Sequence, residues 1–128
     1  MPVAEIITIG TELLLGEIQD TNTSYIAKIL NSAGIDIYHA SMIGDNEERI
    51  ALEIRAAIDR ADIVITTGGL GPTVDDPTRN AVALAFDRET EFKPELWDQI
   101  LTRFKAYGRN PSENNKRQAF IPVGAVAK

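Results

Sequence analysis

The sequence predicts an α/β domain built on a parallel sheet covered on both faces, and three observations carry that expectation. Short β-branched runs alternate with stretches of helical period. Ile63, Val64 and Ile65 follow one another without polar alternation, as in a strand packed on both sides. Gly10, Gly44 and Gly68 each stand where an apolar run ends. The loops behind them should therefore converge on one edge of the sheet, the carboxyl edge at which such folds bind ligands.

The elements follow in order. "VAEIITIG" reads as a first strand ending at Gly10, and "TELLLGEIQD" after it is ambiguous. "TNTSYIAKILNSAG" places Tyr25, Ile26, Ile29, Leu30 and Ala33 on one helical face and stops at Gly34. "IDIYHASMIG" is a second strand. "DNEERIALEIRAAIDRA" is the clearest helix, with Ile50, Ile54, Ala57, Ile58 and Ala61 as its apolar stripe. "DIVITTGG" is a third strand. "PTRNAVALAF" begins a third helix, with Asp76 as N-cap and Pro77 at the first helical position. "KPELWDQILTRFKAYG" is a fourth helix with Leu96, Ile100, Leu101 and Phe104 inward, "RNPSENN" a loop or helix start, and "AFIPVGAVAK" a strand and turn.

The 128 residues suffice for one domain, expected over 1–128, with enough chain to bury a core. Absence of cysteine excludes disulfides and thiolate metal sites. A formal net charge of −6 disfavours general nucleic-acid binding. No apolar run reaches the length of a membrane span, and the N-terminus lacks the pattern of a signal peptide. A cytoplasmic protein is expected.

"TTGGLGPTVDDPTRNA" poses a conflict of charge. Gly68, Gly69 and Gly71 offer backbone N–H groups to an anion, which the adjacent Asp75 and Asp76 would repel. The stretch is neither a P-loop, since no Gly-Lys-Ser/Thr follows, nor the dinucleotide fingerprint, since Val74 holds the third glycine position. A tight strand-to-helix turn and a phosphate site weigh evenly. A divalent cation such as Mg²⁺ on Asp75 and Asp76 would reconcile acid with anion, because such ions take carboxylate oxygens and bridge to phosphates. Capping is the competing role for Asp76. Asp45, after Gly44, reads as an N-cap with Glu48 completing a capping box, or as a carboxylate that orients water or binds a metal at the sheet edge.

Thr11, Glu12 and Asn22 are candidates to reach a ligand. Leu13 to Leu15 pack under their loop, shape a pocket or form a subunit contact. Arg79, in a first helical turn, meets an anion or pairs with Asp75. His39, the only histidine, lies mid-strand and reads as structural. Lys116 and Arg117 read as a solvated pair.

"GTELLLGEIQDTNTSYIAKIL", "TTGGLGPTVDDPTRNAVA" and "NNKRQAFIPVGA" together resemble the N-terminal domain of the competence/damage-inducible CinA family, over nearly the whole chain. That domain is similar to the molybdopterin-binding fold, a three-layer α/β/α sandwich with a mostly parallel sheet. The resemblance implies metal-dependent hydrolysis of ADP-ribose to AMP and ribose 5-phosphate, with Mg, Mn or Co as the divalent metal. The alternative it implies is a non-hydrolytic molybdopterin- or nucleotide-binding module. By motif, Gly68, Gly69 and Gly71 would cradle phosphate and Asp76 matches the aspartate after the glycines, while Asp45 matches a second acidic position. Asp75 departs from the wider group, where a basic residue is usual, which weakens the pterin reading.

The expected catalytic residues are therefore Asp45, Asp76 and Glu12, and the expected metal ligands Asp75 and Asp76. Substrate would be bound by Gly10, Thr11, Asn22, Thr67, Gly68, Gly69, Leu70, Gly71, Pro72, Thr73 and Arg79. A small nucleotide as substrate and a homo-oligomer as assembly are expected, with no membrane or nucleic-acid partner. Complete CinA proteins often carry a C-terminal nicotinamide mononucleotide deamidase domain, which is not expected within these residues.

Overall fold

A computed structural model describes residues 2–71 and 76–127. β1 (Val3–Ile9) is the middle strand of a three-stranded sheet, flanked by β2 (Asp36–Ile43) and β3 (Ile63–Thr67). Both pairings are parallel, with Thr8 opposite Met42 on one side and Thr67 on the other. The alternation along β1 assigns the layers. Ile7 and Ile9 point to one face and join Ile50, Ile54, Ala57, Ala81 and Ala85 in the core. Thr8 points to the other face, where its hydroxyl lies 2.8 Å from that of Thr23. Helices α3 (Glu47–Arg60) and α4 (Thr78–Ala85) therefore cover one face, and α2 (Asn22–Ser32) the other. The protein is a three-layer α/β/α sandwich on a parallel sheet.

The ambiguous stretch after Gly10 forms a single helical turn, α1 (Thr11–Leu14). Past α4, β4 (Thr90–Phe92) pairs antiparallel with β5 (Phe120–Pro122), and α5 (Pro94–Ala106) and a 3-10 helix (Glu113–Ala119) lie between them. β4 is absent from the sequence reading. Three residues are too few to show a period, and only the partner strand makes "TEF" a strand.

Other sequence expectations need correction. The N-cap of α3 is Asn46, whose side chain accepts from the Arg49 amide at 2.9 Å, so Asp45 is released from capping. Helix α4 begins at Thr78 with Pro77 in the cap position and no side-chain cap bond, so Asp76 does not cap it. On α2, Tyr25 and Ile29 are exposed although the period places them on the apolar face, and Ile58 of α3 is exposed likewise. Helix α5 has no fully buried residue.

Two carboxylates are tied into the sandwich. Buried Glu5 on β1 receives both Nε and Nη2 of Arg60, at 2.7 and 2.9 Å. The Arg60 hydrogen bonds hold its carboxyl below the ordinary 4.5, against the opposing effect of burial. Asp20 accepts from the Thr23 amide at 3.1 Å and from its hydroxyl, opening α2. Burial would raise Asp20, but these bonds bring it below its ordinary 3.8.

Truncating Ile7, fully buried between β1 and the α3–α4 layer, should cost about 2–5 kcal/mol, read as a lower urea midpoint for Ile7→Ala. The depressed Glu5 and Asp20 carboxyls stabilise the fold above their ordinary values and lose that contribution as the pH falls through their lower folded values. Glu5→Gln should therefore lie below the wild type in urea midpoint at neutral pH. The gap should close as the pH falls through the lowered folded value of Glu5, where the wild-type carboxylate is neutralised too.

Candidate functional site

The carboxyl ends of the strands bring the glycine loops together as the sequence predicts. The Gly10 amide donates to the Ile43 carbonyl at 2.9 Å, which ties the end of β1 to the end of β2. Thr11 and Asp45 then exchange two bonds: the Asp45 amide donates to Thr11 Oγ1 at 3.0 Å, and the Thr11 amide to Asp45 Oδ2 at 3.3 Å. Asn22 Nδ2 donates to Thr67 Oγ1 at 3.2 Å, joining α2 to the end of β3.

The glycine loop itself is organised through its carbonyls. Thr78, buried at the start of α4, donates its hydroxyl to the Gly68 carbonyl at 2.7 Å and its amide to the Gly69 carbonyl at 3.1 Å. Arg79 donates Nη1 to the Leu70 carbonyl at 2.7 Å and Nη2 to the Gly71 carbonyl at 2.8 Å. Gln118 adds a 3.3 Å bond to Leu70. Four successive carbonyls thus point at the first turn of α4. Peptide planarity sets each following N–H opposite its carbonyl, so the amides of Gly69, Leu70 and Gly71 face away from α4. Amides turned outward in this way can donate to an anion.

Glycine is required here by geometry. Gly68 has φ +92° and lies against the Ile9 carbonyl, and Gly69 has φ +65° and lies against Thr78 Oγ1. At Gly71 the reason is the aspartate: a methyl group there would stand 2.5 Å from Asp76 Oδ2. Glu12 uses Gly10 in the same way, its Oε1 lying 2.6 Å from the place of a methyl group. Both carboxylates are folded onto glycine backbone.

Two clefts flank the loop. One, of about 210 Å³, is lined by Thr8, Glu12, Asp20, Asn22, Thr67 and Gly68 among others. The other, of about 260 Å³, holds Asp76, Arg79 and Arg117. Glu12, Asn22, Thr67 and Gly68 are therefore brought together, and Asp76 and Arg79 are brought together on the α4 side. Thr11 and Asp45 form a pair that lines neither cleft. Pro72, Thr73 and Asp75 lie outside the described residues. Arg79 is spent on loop carbonyls; burial lowers its pKa, and the nearby Asp76 carboxylate opposes that shift.

Sequence reasoning missed Thr78, Gln118 and the role of Arg117. Thr78 was legible in principle, as a hydroxyl in the first turn of the helix behind a glycine loop. The other two sit in a segment that only the fold returns to the loop.

A divalent cation can be tested against these side chains. Among the described residues no group of three or more His, Asp or Glu could enclose an ion. Asp76 beside outward-facing amides fits the other kind of site, in which one or two carboxylates and the substrate's phosphates share a Mg²⁺-type ion.

Thr78→Val keeps the shape and removes the donor to Gly68. It should lower stability by about 1 kcal/mol and speed hydrogen exchange at the Gly69–Gly71 amides, as read by NMR.

Comparison with known proteins agrees with this architecture. Residues 5–127 match the family model described as a probable molybdopterin binding domain. A putative competence-damage inducible protein of Clostridium acetobutylicum is 48% identical over 95% of this chain, and one of Alkaliphilus oremlandii 50% identical over 96%. The chain spans about 30% of the length of these curated relatives. A crystal structure of CinA from Thermoplasma acidophilum, described as of unknown function, superposes with a TM-score of 0.85 at 27% identity, covering 94% of this chain and 71% of that one. MoaB, a molybdopterin biosynthesis enzyme of Thermus thermophilus, superposes at 0.61 and 27% identity, covering 64% of this chain and 53% of its own. The chain belongs to the family of probable molybdopterin-binding domains, and its curated relatives are competence-damage inducible proteins of the CinA type.

Proposed function

We propose that this domain hydrolyses the pyrophosphate of ADP-ribose or a related nucleotide in a metal-dependent reaction. The observation that carries the reading is the set of three amides, Gly69 to Gly71, turned away from α4, with Asp76 lying against Gly71 and Glu12 in the cleft that touches the loop at Gly68. Amides of this kind receive a diphosphate without a lysine or arginine at the anion, and they are pre-oriented by Thr78 and Arg79. Asp76, with Asp75 beside it in sequence, would hold the divalent cation. When bound, that ion neutralises the diphosphate and polarises phosphorus.

The remaining chemistry falls to the chain. Glu12, in the cleft with Asn22, Thr67 and Gly68, accepts a proton from the attacking water. The water oxygen forms a bond to one phosphorus as the bridging P–O bond breaks, and AMP and ribose 5-phosphate leave. Asp45 holds Thr11 and so the entry to α1 that carries Glu12. Cytoplasmic location and a homo-oligomeric assembly belong to the same reading; among the described residues no helix is long and apolar enough to cross a membrane.

One observation favours a second reading, a binding module for molybdopterin or a nucleotide without turnover: the family to which the chain belongs. Incubation with ADP-ribose and Mg²⁺, Mn²⁺ or Co²⁺ separates the two. Release of AMP is expected. Asp76→Ala and Glu12→Gln should each lower turnover per folded molecule about 100-fold or more, with the folded fraction read from circular dichroism. Full activity of Asp76→Ala at saturating metal would sink the assignment. Binding of a pterin without any AMP release would establish the module instead.

A further inference from the structure

The cleft on the α4 side of the loop has a chemistry of its own. The sequence reads Lys116 and Arg117 as a solvated pair, and the structure keeps Arg117 exposed while giving the two side chains different neighbours. Lys116 Nζ lies 3.5 Å from Glu113 and 5.6 Å from the centre of the Trp97 ring. The Arg117 side chain has no hydrogen bond or ion pair among the described residues, and it lines the cleft with Glu47, Asp76, Arg79, Asn80, Thr90 and Phe120. A guanidinium in a concave site with no protein partner suits a phosphate, which it can bind through two parallel bonds.

The other side chains narrow the ligand further. Glu47 is an acceptor that repels a bare polyanion and welcomes hydroxyl donors. Asn80 and Thr90 each donate and accept. Phe120 stands 5.4 Å from Phe92, ring centre to ring centre, so its ring is braced as an apolar wall. An anion, several hydroxyls and a small apolar face in one molecule describe a sugar phosphate.

Size points the same way. Drug-sized ligands occupy roughly 300–1,000 Å³. The two clefts at this edge measure about 260 and 210 Å³, so each suits half of a dinucleotide better than the whole. We infer that the Arg117 cleft is a sugar-phosphate subsite, with Arg117 on the phosphate and Glu47 on the sugar hydroxyls. It receives the ribose 5-phosphate half of the substrate while the nucleotide half lies across the loop. The pairing of the two halves rests on the hydrolase reading; the subsite itself does not.

Calorimetric titration of ribose 5-phosphate and of AMP into the wild type, Arg117→Ala and Arg117→Lys tests this. Arg117→Ala should weaken ribose 5-phosphate about tenfold or more and leave AMP within about twofold, and Arg117→Lys should recover part of the loss. Because the Arg117 side chain has no hydrogen bond or ion pair among the described residues, melting should be unchanged. The subsite is overturned if the wild type binds no ribose 5-phosphate, if Arg117→Ala binds it undiminished, or if AMP weakens equally. AMP release from ADP-ribose, assayed in parallel, separates the two ideas. A wild type that binds ribose 5-phosphate through Arg117 yet releases no AMP retires the hydrolase and keeps the subsite. A wild type that releases AMP, beside an Arg117→Ala variant with the same KM, retires the subsite alone.

Discussion

Parallel pairing of β1 with both β2 and β3 is the constraint on which the molecule depends. It buries the central strand from Ala4 to Ile9, and it sends the ends of all three strands to the same edge. The turns at Gly10, Gly44 and Gly68 then have to share space, and their bonds reflect this. Gly10 donates to Ile43, Asp45 and Thr11 exchange bonds, and Gly68 lies on the carbonyl of Ile9. A glycine at each turn is the steric consequence of that convergence as much as a device for a ligand. The same convergence brings Glu12 and Asn22 to the end of β3, from parts of the chain that are far from it in sequence.

The second organising element is the first turn of α4. A loop rich in glycine has many conformations to lose, and something must select one of them. Here the selection is made by a buried threonine and a half-buried arginine that together satisfy four carbonyls in a row. The charge conflict of the sequence finds its geometric form in this arrangement. The amides face one way, while Asp76 lies against Gly71 on the side of the α4 cleft. Glu12 and Asp20 line the cleft that touches the loop at Gly68, and Glu47 and Asp76 line the cleft beside the start of α4.

The periphery obeys weaker rules. Helix α5, the 3-10 helix and the short β4–β5 ladder pack around the end of α4 and bury few side chains fully. Their contribution is positional: Gln118 reaches the loop, and Arg117 and Phe120 reach the cleft. Tyr25 and Ile29 of α2, together with Leu14 and Leu15, leave an apolar surface on the opposite layer.

What the sequence determined by itself was the set of elements whose signals are local. The three strands, the amphipathic α3 and the glycine turns follow from β-branching, a 3.6-residue period and the absence of a Cβ, each visible within one stretch of chain. The residues of the glycine loop were legible for the same reason. Tertiary structure decided the rest, because those features depend on partners distant in sequence. β4 exists only opposite β5, and Asp45 is freed for Thr11 because Asn46 takes the cap. Arg79 turned to backbone carbonyls, and Arg117, exposed as the sequence suggests, also lines a cleft with residues of α4, because the fold placed α4 and the 3-10 helix beside one cavity. Local propensity can announce a helix or a turn, but which side chains end up face to face is set by the packing of the layers.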